Sequence, residues 1–161
     1  MLDTHQHESL IELHDAVFPE TFANGRELVD ERSPEKQIIV AAEGERVFGY
    51  LRTIRENDDE GYIEYVGVQA GERRKGIGRK LLSKELDYLL NDIGVTAVTL
   101  CVNDDDNDAK LLYTSVGFSH RHTGINLRLQ KSDRPSGAYS VWPLQETTDA
   151  ARSHCRTYGT W

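Results

Sequence analysis

Residues 72–80 read Glu-Arg-Arg-Lys-Gly-Ile-Gly-Arg-Lys. They follow a strand-like run from Tyr62 to Gln69. They also open a segment that lines up Ile77, Leu81, Leu82, Leu86, Leu89, Leu90 and Ile93 on one helical face. A strand, a basic glycine turn and an amphipathic helix in direct succession commit the chain to an α/β arrangement. The first N–H groups of such a helix have no partner within it and point outward. The helix dipole adds positive potential at the same place. Glycines at 76 and 78 let a ligand approach the backbone closely. Each charge-assisted hydrogen bond there contributes roughly 1.5–3 kcal/mol. The segment is therefore a seat for a phosphorylated ligand, a basic stretch in a chain whose formal net charge as a whole is −8.

Two common phosphate loops do not fit. A nucleotide-hydrolase loop needs Gly-x-x-x-x-Gly-Lys-Ser/Thr. Gly71 and Gly76 have that spacing, but Ile77 and Gly78 stand where Lys and Ser/Thr belong. A dinucleotide fingerprint needs a third glycine where this chain has Leu81. The plain alternative is an ordinary strand–helix turn with solvated Arg and Lys.

Arg73-Arg74-Lys75-Gly76-Ile77-Gly78 resembles the central Gln/Arg-x-x-Gly-x-Gly/Ala motif of the GNAT superfamily of acyl-CoA-dependent N-acetyltransferases. The preceding "YIEYVGVQAGE" looks like that family's splayed strand. A second block, "LCVNDDDNDAKLLYTSVGF" at 100–118, resembles the family in Asn107, Leu112-Tyr113 and Gly117-Phe118. The blocks occur in the family's order and at a family-like separation. The resemblance covers roughly residues 8–130.

The resemblance implies an α/β fold: a mixed, mostly antiparallel sheet with a parallel β-α-β crossover and splayed central strands, flanked by helices. It implies an N-acetyltransferase that moves an acetyl group from acetyl-CoA, as cosubstrate, to a primary amine in a ternary complex. The acceptor would be a small cationic amine, a peptide N-terminus or a lysine. Arg73, Arg74, Lys75, Gly76, Ile77 and Gly78 would hold the diphosphate. The backbones of Val66 and Val68 would pair with the pantetheine as an added strand does, and Asn107 would hydrogen-bond the same arm. Gly67 would mark the bulge that the splay requires. A non-catalytic acyl-CoA sensor or partner module of the same fold is the alternative.

At 161 residues, the length suits one domain with a substantial core. It is read as 1–144, with 145–161 as a C-terminal extension. No apolar run approaches the ~20 residues of a membrane span. "MLDTHQHESL" has no signal-peptide pattern. Cys101 and Cys155 form no disulfide framework, and Cys101 reads as a buried small hydrophobe. A cytoplasmic location is expected. The acidic balance argues against nucleic acid as a partner. The resemblance implies a homodimer as one expectation, with "AYSVWPL" exchanged between subunits, and a tandem GNAT neighbour as another, because the family usually begins with a strand and only Met1 to His7 is available here.

Leu10, Ile11, Leu13, Val17 and Phe18 predict a helix over 8–18, stopped by Pro19. Asn24 caps a second, "GRELVDER". "QIIVAAEG" and "RVFGYLRTIRE" read as a hairpin turning at Glu43-Gly44. Strand 62–69, helix 77–92, strand 96–102 and a helix near 108–116 follow, the last capped by Asp106 or Asp108. A strand over 118–129 and a returning "AYSVWPL" complete the pattern. The ligand is expected at the carboxyl end of strand 62–69.

The chemistry sets its own demands. An amine of pKa ~10.4 is nucleophilic in only about one molecule in 10³ at neutral pH, so a base is needed. The departing thiolate needs a proton. Tyr113, at the family's Tyr position, is the candidate acid; a core aromatic is the plain alternative. Glu64 is the candidate base, read as sharing a strand face with Tyr62 and Val66. Its plain alternative is an ion pair with an Arg such as Arg52. His120, His122 or a water are rival bases. The run Asp104 to Asp108 imitates a calcium loop but lacks its glycine and its bidentate Glu, so no metal is expected. Glu12, Asp15, Glu20 and Glu27 lie on the side that the first two helices line, the family's acceptor side, where they would steer a cation.

Overall fold

A computed structural model describes residues 1–21, 23–103, 105–120 and 126–130. Helix α1 (His7–Val17) buries Leu10, Leu13 and His14 against the sheet. Helix α2 (Gly25–Asp30) starts with a capping box, the expected Asn24 accepting from Glu27 N and Glu27 accepting from Asn24 N. Asp15 Oδ1 accepts from Gly25 N at 2.7 Å and ties the two helices. The expected hairpin forms as β1 (Lys36–Glu43) and β2 (Arg46–Arg55). It is followed by β3 (Glu60–Val68), α3 (Ile77–Asp87), a π-helical turn (Tyr88–Ile93), β4 (Ala97–Cys101), α4 (Asn107–Ser115), β5 (Ser119–His120) and β6 (Asn126–Gln130).

The sheet order is β1-β2-β3-β4-β6-β5, with β3–β4 the parallel pair and the other neighbours antiparallel. Helix α3 makes the crossover that a parallel pair requires. Alternation along the strands splits the core in two. Leu51, Ile63, Val66 and Val98 pack under Leu82 and Leu86 of α3, Leu90 of the π-helical turn and Tyr113 of α4. Tyr50 and Tyr65 point the other way, to Leu10 and Leu13 of α1 and Leu28 of α2. Each buried Leu contributes about 1.5–3 kcal/mol.

Two irregularities place the site. Parallel pairing runs from Glu60↔Ala97 to Ile63↔Leu100 and stops, while β3 continues to Val68 paired with β2. The two strands therefore part at Ile63. The second irregularity is a bulge at Glu64, since Arg52 pairs with Tyr65 and Thr53 with Ile63. This corrects the expectation of a bulge at Gly67. Gly67 is needed for another reason: the Tyr50 ring lies against its backbone. The bulge also breaks the expected alternation. Val66 joins the α3 core, whereas Glu64 reaches Arg52 on the α1–α2 face.

Further differences lie in the second half. The single strand expected over 118–129 is two short strands that pair with each other. The segment "AYSVWPL" and the boundary at 144 lie outside the described residues. Met1 to His7 forms a 3₁₀ turn rather than a strand, with one bond from Leu2 N to Ile38 O. Cys101 is partly buried, and Cys155 lies outside the described residues. No helix among the described residues is long and apolar enough to cross a membrane.

Candidate active site

A cavity of about 590 Å³ opens where β3 leaves β4, between the N-termini of α3 and α4. Of the residues singled out in the sequence, Val66, Val68, Arg73, Arg74, Gly76, Ile77, Gly78, Asn107 and Tyr113 line it. Lys75 does not; its Nζ lies 2.8 Å from Glu72 Oε2. Glu64 is also outside it, on the opposite face of the sheet.

The loop conformation explains its sequence. Gly76 is the N-cap of α3 at φ 79, a left-handed conformation that costs an L-residue roughly 1–2 kcal/mol. It has no side chain with which to cap, and the first turn carries no acid. The leading N–H groups of α3 are thus available to an anion. Arg73 folds back, its Nε donating to Val68 O at 3.1 Å. Arg74 reaches across the cavity mouth to Asp108 Oδ2 at 2.6 Å.

The end of β3 presents its amides to the same cavity. Gln69 N donates to Phe48 O. Antiparallel hydrogen bonding alternates, so Gly67 and Tyr65 also face β2. The N–H and C=O groups of Val66 and Val68 therefore point to the side that β4 has left. That is the geometry a linear, amide-bearing ligand needs to add as a strand.

Tyr113 projects from α4 into the cavity wall. It is also a core residue, its ring meeting Phe118 edge-on at 6.1 Å. Burial, helped by the nearby Asp106, holds its phenol well above the ordinary range. It keeps its proton and can therefore donate a hydrogen bond. Asp106 caps α4 through Oδ1 on Ala109 N. Its Oδ2 is buried without a hydrogen-bond partner among the described residues, and burial raises its carboxyl. The sequence pointed to Asp106 as a cap only. Asn107, the residue it favoured for ligand contact, is the exposed first residue of α4.

The other face of β3 holds a polar cluster: the Arg52–Glu64 ion pair, the plain alternative for Glu64, forms there, joined by Glu31 and His14, which the sequence did not single out. Arg52 is buried, with Nη1 3.0 Å from Glu64 Oε2 and Nη2 2.9 Å from Glu31 Oε2. His14 is fully buried. Its Nε2 meets Ala23 O at 2.9 Å, so Nε2 carries the proton and Nδ1 accepts from Tyr50 OH at 2.5 Å. Of the four acids placed on the acceptor side, Asp15 and Glu27 cap α2, while Glu12 and Glu20 stay exposed or nearly so. His122 and the side chain of His120 lie outside the described residues. Among the described residues no cluster of His, Cys, Asp or Glu is arranged to hold a metal ion.

A model of the Acetyltransferase (GNAT) family matches residues 7–118. No curated protein matches significantly. Solved structures do. The ribosomal-protein-S18-alanine N-acetyltransferase of Escherichia coli shares 19% identity at TM-score 0.69, over 86% of this chain and 96% of that one. Aminoglycoside 6'-acetyltransferase type Ii shares 17% at 0.68, over 81% and 92%. PaiA N-acetyltransferase from Thermoplasma acidophilum, solved with coenzyme A, shares 16% at 0.68, over 80% and 95%. These likenesses establish the fold, and the family match adds the identity. The chain belongs to the GNAT family and is an acetyltransferase.

Proposed function

We propose that the protein transfers an acetyl group from acetyl-CoA to a primary amine by direct attack in a ternary complex. The observation that carries this reading is the open edge of β3. Val66 and the N–H of Val68 present open ladder positions to a cavity that also holds a buried Tyr and a glycine-capped helix N-terminus, the Val68 carbonyl being held by Arg73. The residues fit such a ligand from end to end. The α3 amides and Arg74 suit a diphosphate, and the β3 edge suits the amides of a pantetheine arm. Asp106 Oδ2 supplies a buried acceptor for a further N–H.

Acetyl-CoA, when bound, supplies the thioester that the amine attacks. Val68 N–H polarises the carbonyl oxygen. Tyr113 O–H donates to the sulfur as negative charge gathers there. Its raised pKa, far above the ~8.5 of an ordinary thiol, makes it a hydrogen-bond donor more than an outright acid. Glu64, on the opposite face, takes the amine proton directly or through a water. The acceptor enters from the α1–α2 side. Glu12 and Glu20 favour a cationic amine there, such as a polyamine, an aminoglycoside or a peptide amine.

The test is free-thiol release from acetyl-CoA with a panel of polyamines, aminoglycosides, lysine peptides and peptide N-termini, alongside calorimetric titration with coenzyme A. Turnover with at least one cationic amine is expected. Tight binding without turnover on any amine would leave a sensor instead, and no binding would remove the reading altogether.

A further inference from the structure

We infer that Arg52 is a positioning residue for the transfer step: its buried guanidinium, held between Glu31 and Glu64, fixes where the Glu64 carboxylate lies and how tightly it holds a proton. The inference rests on Glu64 being the base.

Arg52 is only 1% exposed, yet both its terminal nitrogens meet carboxylates. Its Nε is buried with no hydrogen bond among the described residues. Stability is a poor reason to keep such an arrangement. Desolvating the ions costs about as much as their attraction returns, and apolar replacements of whole buried pairs are often neutral or better. Its place in the sheet points to another use. Arg52 sits opposite Tyr65, at the register step that leaves Glu64 as the extra residue of β3. The bulge therefore sets Glu64 beside Tyr65 on the α1–α2 face, within reach of the Arg52 guanidinium. The same bulge lies next to the point where β3 parts from β4, so Arg52 holds the base at the fork of the sheet.

The charges form an alternating line from the surface inward. Lys36 Nζ lies 2.9 Å from Glu31 Oε2, and that oxygen shares Arg52 with Glu64. Glu31 is half exposed, at 50% of its side chain. Among the described residues, the other titratable groups facing the pair are Tyr50 from β2 and His14 from α1, with Tyr65 of β3 and Asp15 of α1 beside those two. His14 is kept neutral by burial. Glu31 thus sets, from near the surface, how much of the Arg52 charge is left for Glu64.

This arrangement predicts opposite effects from two substitutions, which a merely structural role does not. The full chain labelled with ¹³C at glutamate carboxyls is titrated by NMR, with Glu64→Gln assigning the Glu64 signal. Arg52→Met is expected to raise the Glu64 midpoint by about one pH unit or more, since an opposite charge at this range is removed. Glu31→Gln is expected to lower it by about half a unit, since a competing carboxylate is removed. Where Arg52→Met fails to fold, Glu31→Gln and the charge-conserving Arg52→Lys carry the test, and Arg52→Lys stays near the parent midpoint. Unmoved midpoints, or shifts of one sign in both neutralised variants, overturn the role of Arg52 while leaving the base reading intact. Full turnover by Glu64→Gln, with the panel amine that the parent acetylates fastest, overturns the base reading and this inference with it.

Discussion

The Tyr50 ring occupies the space that a Cβ on Gly67 would need. That atom would lie 3.0 Å from Tyr50 Cδ1 and closer still to Cε1. The ring has little freedom to yield. Tyr50 is fully buried, and its hydroxyl donates to His14 Nδ1, whose other nitrogen is anchored on Ala23 O. Helix α1, strand β2 and the end of β3 are thereby locked together beneath the backbone that presents Val66 and Val68 to the cavity.

Gly67→Ala follows from that packing. The methyl must push the ring aside and strain its bond to His14. Overpacking of this kind costs about 1–3 kcal/mol. Urea unfolding should show that loss, and turnover should fall in the fraction that remains folded, because the β3 edge is displaced. A variant as stable and as active as the parent would mean that the Tyr50 ring moves freely.

Tyr113→Phe separates chemistry from binding. The ring keeps its place against Phe118 and only the donor is lost. Turnover should drop about 10²–10³-fold, the scale of a lost transition-state donor. The dissociation constant of coenzyme A, read by calorimetry, should stay within about twofold of the parent value, since the change removes no ground-state contact to the diphosphate. Unchanged turnover would remove Tyr113 from the mechanism.

Asp108→Ala tests the pair across the cavity mouth. Arg74 Nη2 and Asp108 Oδ2 are 2.6 Å apart, but the two side chains are 80% and 64% exposed. Such a pair holds by no more than about 1 kcal/mol. Without Asp108, Arg74 is released to the diphosphate and one repelling charge is gone. Coenzyme A should bind about two- to fivefold more tightly at low salt, and the gain should fade as ionic strength rises. Weaker binding in the variant would show that Asp108 itself holds the ligand.

The parts of this site that local chemistry dictates could be read in the sequence. The leucine stripe of α3 follows from its spacing, and Gly76 from the left-handed cap it must adopt. The Asn24 cap and the place of Tyr113 on α4 were also legible. What could not be read depends on a partner strand. The bulge at Glu64 exists only relative to Arg52 and Thr53, and a single strand's alternation gives no sign of it. Gly67 looked like a bulge residue because the ring that requires it belongs to β2. His14 falls beside Leu10 and Leu13 on α1, but no spacing rule tells a buried, hydrogen-bonded His from a surface one.

His14 should make stability fall on mild acidification. Desolvation lowers its pKa below the ordinary 6.5, Arg52 adds to that, and the Ala23 carbonyl and Asp15 offset it only in part. Above about pH 6.5 both folded and unfolded chains carry neutral His14, so it contributes no slope. Below that, the unfolded chain takes up a proton that the folded chain refuses. Stability then falls by up to about 1.4 kcal/mol per pH unit until the lowered folded pKa is passed. The rest of the protein has its own pH dependence, so the informative quantity is the difference between the parent and His14→Gln. Urea unfolding at pH 7.5, 6.5 and 5.5 should show the parent more stable at pH 7.5, where its bonds to Tyr50 and Ala23 are intact. The gap should narrow toward pH 5.5, as only the parent bears the cost of keeping that ring neutral. A gap that is constant across the three values would show that His14 titrates alike in both states.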